Sequence, residues 1–300
     1  MRKLQPFHSS HNIGGVDCDF PSKEELLDYL DAAISPPHMR GSLPAGQAGE
    51  RGSGGSLAHI ITLNAEMVVE AQSNEQFKDI INSAEIVIPD GSSILWAREY
   101  LKQRRRASST LGVLPLTPSV FPALSLVKFF FSNQQPITGV DTMFDICEIM
   151  EKKNGAVYLL GGKPEEVQRT AIVLRKKYPM LNVSITPSSS PFVRGRERAL
   201  PLLTKEGLGE VSAIFVALGS PKQSLWIEDT RNLLENAGVN IAMGVGGAFA
   251  MIADTLPRAP KWMRRHHIEW LWRLTLEPKR IKRIWNAVVV FPKLVYKNTR

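Results

Sequence analysis

Two cysteines in 300 residues are too few for a disulfide framework, and Cys18 and Cys147 lie too far apart for metal-ligand spacing. That excludes a cysteine-built zinc site and fits a reducing compartment, with both thiols buried. The opening MRKLQPFHSSHN has early charges but no apolar run behind them, so it does not read as a secretory signal. Leu111 to Phe131 approaches spanning length, but Pro115, Pro118, Pro122 and Lys128 would break the helix that lipid requires to be intact. It reads instead as a buried insertion or as an apolar surface loop touching a bilayer or a partner.

Several ligand-binding signatures are missing as well. GVGGAF lacks the third glycine of a dinucleotide loop, and no strand leads into a Gly-Lys-Ser or Gly-Lys-Thr phosphate loop. No Asp-x-Asp pair ends a core strand, because Asp17-Cys18-Asp19 precedes the core. His266 and His267 are adjacent, so on a helix they point about 100° apart and have no carboxylates to complete a metal site. The expectation is therefore no metal and no cofactor. Any diphosphate bound here must be neutralised by protein cations and backbone amides.

What is present is an ordinary globular composition, 43% hydrophobic and 22% charged, enough for a real core in one or two domains. The formal charge of +8 is local. Residues 257–300 hold twelve Lys or Arg against only Glu269 and Glu277. Residues 1–56 read as a helix, PSKEELLDYLDAAI with Ser22 as its cap, followed by a Gly/Pro-rich loop over 35–56.

Residues 57–256 read as the core, with an insertion over 101–136. Short apolar runs alternate with amphipathic stretches: LAHIITL, EIVIP, AVYLLGG, NVSIT, SAIFVALG and NIAMGVGG as strands, with SSILWAREYLK, DTMFDICEIMEKK, PEEVQRTAIVLRKKY and KQSLWIEDTRNLLENA as helices. This pattern predicts an α/β fold, a doubly wound, mostly parallel, Rossmann-like sheet, with ligands beyond the carboxyl ends of its strands. Small and polar residues gather at those ends: Thr62 and Asn64, Asp90 and Gly91, Gly161 and Gly162, then Gly219, Pro221, Lys222 and Gln223, and finally Gly246 and Gly247. Each alone is a common turn or helix cap. Together on one edge they predict a phosphate- or nucleotide-binding cleft.

Residues 257–300 form a basic, aromatic, helical appendage. Trp262, Trp270, Trp272 and Trp285 are interleaved with Arg264, Arg265, Arg273, Arg280 and Arg283, and Arg258 precedes them. Such a mixture suits a lipid interface, pairing with a diphosphate, or a solvated basic face. It also admits nucleic acid, a reading that leaves the strand-end residues unexplained.

The blocks TLNAE, PDGSSILWA, ITGVD, LLGGKPEEVQ, FVALGSPKQSLWI, GVGGAFAMIAD and RAPKWMRRHHIEWLWRLTLEPKRIKRIW resemble, in order and spacing, the WecG/TagA/CpsF glycosyltransferase family. The resemblance implies metal-independent, inverting transfer of N-acetylmannosamine, its uronic acid or glucose. The donor is a UDP-sugar, and the acceptor is a sugar on undecaprenyl diphosphate at the inner face of the plasma membrane. It implies work in surface or exopolysaccharide synthesis, with the C-terminal appendage on the membrane, no nucleic-acid partner and an open oligomeric state. It makes Asp90 the general base, against the alternative of a helix cap. Thr62, Asn64, Gln223, Thr138, Gly139 and Asp141 become cleft residues, with capping again the alternative for Thr62, Asn64 and Asp141.

Two positions depart from the family pattern. Pro136 stands where many members carry an arginine thought to meet the donor diphosphate, so Arg104, Arg105 or Arg106 would have to substitute. The family's glycine-aromatic-phenylalanine turn is PSSSPF here. The lost arginine leaves a second reading, a catalytically impaired member acting as a membrane-bound scaffold.

Overall fold

A computed structural model describes residues 10–34, 57–109, 137–185, 211–255, 259–260, 262–263, 269–278 and 281–297. Its centre is a six-stranded, all-parallel sheet, and a two-stranded hairpin lies outside it. The hairpin pairs β1 (Ser10–Ile13) with β2 (Val16–Asp19). Gly14 and Gly15, at φ +62° and +84°, make the two-residue turn whose hand matches strand twist. The sequence reading did not identify this hairpin, although Gly-Gly between Ile13 and Val16 is a recognised signal for one. Helix α1 (Lys23–Ile34) follows. Ser22 Oγ accepts the Glu25 N–H at 3.1 Å, and the Glu25 carboxylate accepts the Ser22 N–H at 2.7 Å, a capping box.

The sheet comprises β3 (Ala58–Leu63), β4 (Ile86–Pro89), β5 (Ala156–Gly161), β6 (Asn182–Ile185), β7 (Val211–Ala217) and β8 (Ile241–Gly244) in the order β4-β3-β8-β7-β5-β6. All six coincide with the runs picked out in the sequence. Burial on both faces explains why those runs are continuous rather than alternating.

The connecting helices are α2 (Ala65–Glu70), α3 (Glu75–Ser83), α4 (Ser92–Ser109), α5 (Gly139–Lys152), α6 (Pro164–Lys177), α7 (Lys222–Asp229), α8 (Arg231–Asn236) and α9 (Ala248–Ile252). Helix α4 runs past the expected end at Lys102 to Ser109, because QRRRASS contains nothing that stops a helix. The segment expected as one helix from Lys222 is two, parted at the buried Thr230, whose hydroxyl donates to the Trp226 carbonyl at 2.7 Å. Helix α3, capped by Asn74, was not among the expected helices.

Period-two alternation divides the core. Ile60, Ile88, Leu159, Phe215 and Met243 face α1, α5, α6 and α9. Ile61, Leu63 and Val87 face α2, α3 and α4, while Leu160, Val216 and Ala242 face α7 and α8. The helices after β3 and β7 therefore pack on one face, and α9, after the intervening β8, packs on the other. Oppositely directed connections from neighbouring strands open a crevice at their carboxyl ends, and here it lies at β8.

The C-terminal segment forms α10 (Glu269–Leu276), α11 (Ile281–Trp285), a π-helical turn (Asn286–Val290) and α12 (Phe291–Lys297). Phe291 and Val295 are buried in the cluster that holds the hairpin's Ile13 and Val16 and the α4 residues Trp96 and Tyr100. The Phe291 ring meets Trp96 edge-on at 6.4 Å.

Candidate functional site

All six strands are parallel, so their carboxyl ends share one edge, and that edge collects most of the residues singled out above. The Asp90 N–H donates to the Leu63 carbonyl at 2.7 Å, continuing the β3–β4 ladder by one residue and fixing the backbone of Asp90. Its Oδ1 accepts the Gly139 N–H at 3.4 Å. The carboxylate thus faces the start of α5, although forty-nine positions separate the two residues. Gly91 follows at φ +100°, with no described atom within 4 Å of where a Cβ would stand.

Thr62 is buried, and its hydroxyl donates to the Gly244 carbonyl at 3.4 Å, joining the ends of β3 and β8. A Cβ on Gly139 would come within 3.2 Å of the Thr62 methyl. Thr62, Asp90, Gly139 and Gly244 are therefore packed or bonded in one chain at the crevice. Asn64 caps α2, accepting the Met67 N–H at 3.0 Å. Thr138 caps α5 through Oγ1, which accepts the Asp141 N–H at 3.2 Å while its O–H donates to the Asp141 carboxylate at 2.6 Å.

On the β5 side, glycine serves packing: a Cβ on Gly161 would meet the Ala217 carbonyl oxygen at 2.9 Å. Gly162 donates its N–H to that same carbonyl and packs on Phe249 and Val167. After β7, Gly219 leads through a cis Ser220–Pro221 bond into α7. Lys222 is exposed. Gln223 is only 5% exposed, and its Oε1 accepts the Gly246 N–H at 3.0 Å, tying α7 to the turn after β8. Gly247 ends that turn and is exposed.

From the C-terminal segment, Arg283 donates Nε to Glu66 at 2.7 Å. Glu66 lies in the first turn of α2, two residues past Asn64. No sequence signal marked Glu66, since 217 positions separate it from its partner. Trp262, Leu271, Leu276, Ile281, Trp285 and Val288 are exposed hydrophobics on this segment. Arg258, Arg264, Arg265 and Arg280, the side chains of Arg105, Arg106 and Arg273, Pro136 and the PSSSPF turn lie outside the described residues. Among the described residues no helix is long and apolar enough to cross a membrane, and no three His, Cys, Asp or Glu side chains gather as metal ligands would.

The opposite edge carries a cluster that the sequence reading did not identify. Arg231 forks onto Glu85 with contacts of 3.3 and 3.1 Å, reaches Glu228 at 3.1 to 3.2 Å, and donates to the Leu57 carbonyl at 3.0 Å. His59, fully buried, lies 3.8 Å from Glu228. Burial pushes the His59 imidazolium down, so the ring is neutral near pH 7. The His59 ring on one side and the Arg231 guanidinium on the other hold the Glu228 carboxyl down at about 2. Cys18 and Cys147 are buried and their thiols pushed up, that of Cys147 to about 12, so neither is poised as a nucleophile.

A parallel α/β sheet with polar and glycine residues gathered at the carboxyl end of β8, and a carboxylate beside them, defines a ligand-binding α/β domain. Matches to known proteins give that class its name. The family model described as Glycosyl transferase WecG/TagA/CpsF family matches residues 29–121 and 120–300, and the chain belongs to that family. It is 26% identical over 236 residues to the N-acetylglucosaminyldiphosphoundecaprenol N-acetyl-beta-D-mannosaminyltransferase of Bacillus subtilis (strain 168), covering 79% of this chain and 77% of the relative.

Proposed function

We propose that this protein moves a sugar, with inversion, from a UDP-sugar to a sugar carried on a polyprenyl diphosphate, and that Asp90 is the general base. The observation that carries this is the Asp90 carboxylate on the crevice edge, its backbone fixed by Leu63 and its Oδ1 turned to the Gly139 amide. The acceptor hydroxyl attacks the anomeric carbon, and Asp90 takes its proton. The new oxygen–carbon bond forms as the bond to the diphosphate breaks, and UDP departs with that electron pair. An inverting displacement needs one base on the attacking side, so a single carboxylate suffices for proton removal.

The Bacillus subtilis relative's name supports N-acetylmannosamine as the donor sugar and an N-acetylglucosamine-diphosphate lipid as acceptor. Its uronic acid and glucose are the other donors to test. The exposed Ile281 and Trp285 of α11, which also carries Lys282 and Arg283, together with the exposed Trp262, support contact of the C-terminal segment with the cytoplasmic face of an anionic bilayer. Turnover is proposed to be metal-independent, the leaving diphosphate being neutralised by arginines of this segment.

The test is UDP release from a panel of UDP-sugars with a short-chain lipid-diphosphate N-acetylglucosamine acceptor, with and without EDTA. Acceptor-dependent release that survives EDTA and disappears in Asp90→Asn supports the reading. Folded protein that binds UDP but releases none from any donor overturns it in favour of a scaffold, the role suggested by Pro136. Trp285→Ser with Ile281→Ser should lower recovery on anionic vesicles while leaving UDP binding unchanged.

A further inference from the structure

The glycines at the crevice differ in what makes them glycine. A Cβ on Gly244 would fall 2.5 Å from Gln223 Nε2 and 2.9 Å from its Cγ, so the flat face of that amide occupies the space. Gly246 sits at φ +50°, where other residues are strained. Gly247 shares neither reason. Its φ of −85° and ψ of 12° are open to any residue. No described atom lies within 4 Å of where its Cβ would stand, and the residue is exposed. Neither backbone geometry nor packing against the described residues calls for glycine there.

The turn is nevertheless held firmly in place. Gln223, 5% exposed, gives its Oε1 to the Gly246 N–H, and this bond fixes which end of the amide is oxygen. Val245 donates its N–H to the Val216 carbonyl at 2.9 Å, and the Thr62 hydroxyl donates to the Gly244 carbonyl. Thr62 thereby joins β3 to this turn, and Gln223 joins α7 to it. Such anchoring of a turn that ends in an exposed glycine suits close approach of a ligand to bare backbone.

Building on the glycosyltransferase reading above, we infer that the turn Gly244–Gly247 is the wall against which a diphosphate-linked sugar lies. In this arrangement Gly247 is glycine for the ligand's sake, and Gln223 is a positioning residue that acts through the turn. The ligand chemistry is shared by the nucleoside-diphosphate donor and the lipid-diphosphate acceptor. Each added carbon at 247 enters the ligand's space, while loss of the Gln223 oxygen frees the Gly246 amide and lets the wall move.

The experiment is a graded series, Gly247→Ala and Gly247→Val, in the full chain. The KM for each substrate, kcat, calorimetric UDP affinity and Tm are measured. Expected is a rise in KM on the order of tenfold or more per step for the substrate at the wall, with kcat and Tm nearly constant. A parallel loss of UDP affinity identifies the donor, and an acceptor KM effect alone identifies the acceptor. Gln223→Met, which keeps the volume without the oxygen, should raise the same KM, and combined with Gly247→Ala it should raise it by less than the product of the single effects.

Unchanged KM for both substrates overturns the wall, as does a fall in Tm with unchanged KM. Strict multiplicativity of the two effects overturns the positioning role of Gln223. Wild-type protein that neither binds UDP nor transfers sugar defeats the underlying functional reading, an outcome distinct from active wild type with unaffected Gly247 variants.

Discussion

At the amino end of the sheet, Arg231 is surrounded by Glu85, Glu228, Glu235 and the Leu57 carbonyl, with His59 sealed beside them. At the carboxyl end the polar side chains Thr62, Asn64, Thr138 and Gln223 bond mainly to backbone, and no described atom lies within 4 Å of where a Cβ on Gly91, Gly219 or Gly247 would stand. At the first edge one guanidinium serves three carboxylates and a carbonyl, which ties together the flanks of β3 and β4 and the helices α7 and α8. The second edge is shaped by backbone, and there Asp90 Oδ1 accepts the Gly139 N–H. The two ends of the same strands are thus built differently, the first from side chains paired with one another and the second from side chains that hold backbone.

Asp90→Asn bears hardest on that contrast. It should lower turnover by about 10²- to 10⁴-fold, the usual worth of a general base, with UDP affinity and Tm kept. A variant retaining near-normal turnover would remove Asp90 from the chemistry. At the other edge, Arg231→Met leaves Glu85 and Glu228 half-buried without their cation and should cost about 3 kcal/mol in urea unfolding. Turnover per folded molecule should be unchanged, and a selective loss of activity would mean the two edges are coupled.

The same cluster sets a pH dependence. His59 is held neutral, its pKa below 6.5, so the unfolded chain binds the extra proton and stability falls as pH drops below about 6.5. Glu228, held at about 2, contributes stability above its unfolded pKa of 4.5 that is lost as pH falls from there towards 2. Chemical unfolding between pH 7 and pH 3 should show both declines, with the upper one missing in His59→Gln. Smallest of all, Glu66→Gln should change stability by less than about 1 kcal/mol, since its pair with Arg283 is half-exposed. A larger loss would mean that the C-terminal segment depends on this pair for docking.

The sheet was legible in the sequence because parallel strands buried on both faces appear as near-continuous apolar runs, and β3, β5 and β7 are such runs, broken only by His59, Thr62 and Ser212. Their carboxyl ends then predicted which residues would share an edge. Strand order was not legible, and with it neither was the position of β8 between β3 and β7 that opens the crevice. The contacts of Gln223 with Gly246 and of Asp90 with Gly139 depend on that order. The Arg231 cluster escaped notice because its members come from four separate elements or their flanks and share no local pattern. The basic tail looked uniform in composition, yet its last helix is core, because Phe291 and Val295 recur at helical spacing beneath the charges.

That last helix also imposes an order of events on synthesis. Ile13 and Val16 share one buried cluster with Phe291 and Val295, which lie far later in the chain. Leu294 rests over Gly14 itself. On a ribosome the hairpin emerges long before its partner, so this half of the molecule stays unfinished, with Trp96 and Tyr100 incompletely covered, until the chain has been extended past residue 295. The amphipathic segment over 269–290 leaves the ribosome just ahead of that closure. A nascent chain thus exposes the hydrophobics of this segment, Leu271, Leu276, Ile281, Trp285 and Val288, before its core is sealed.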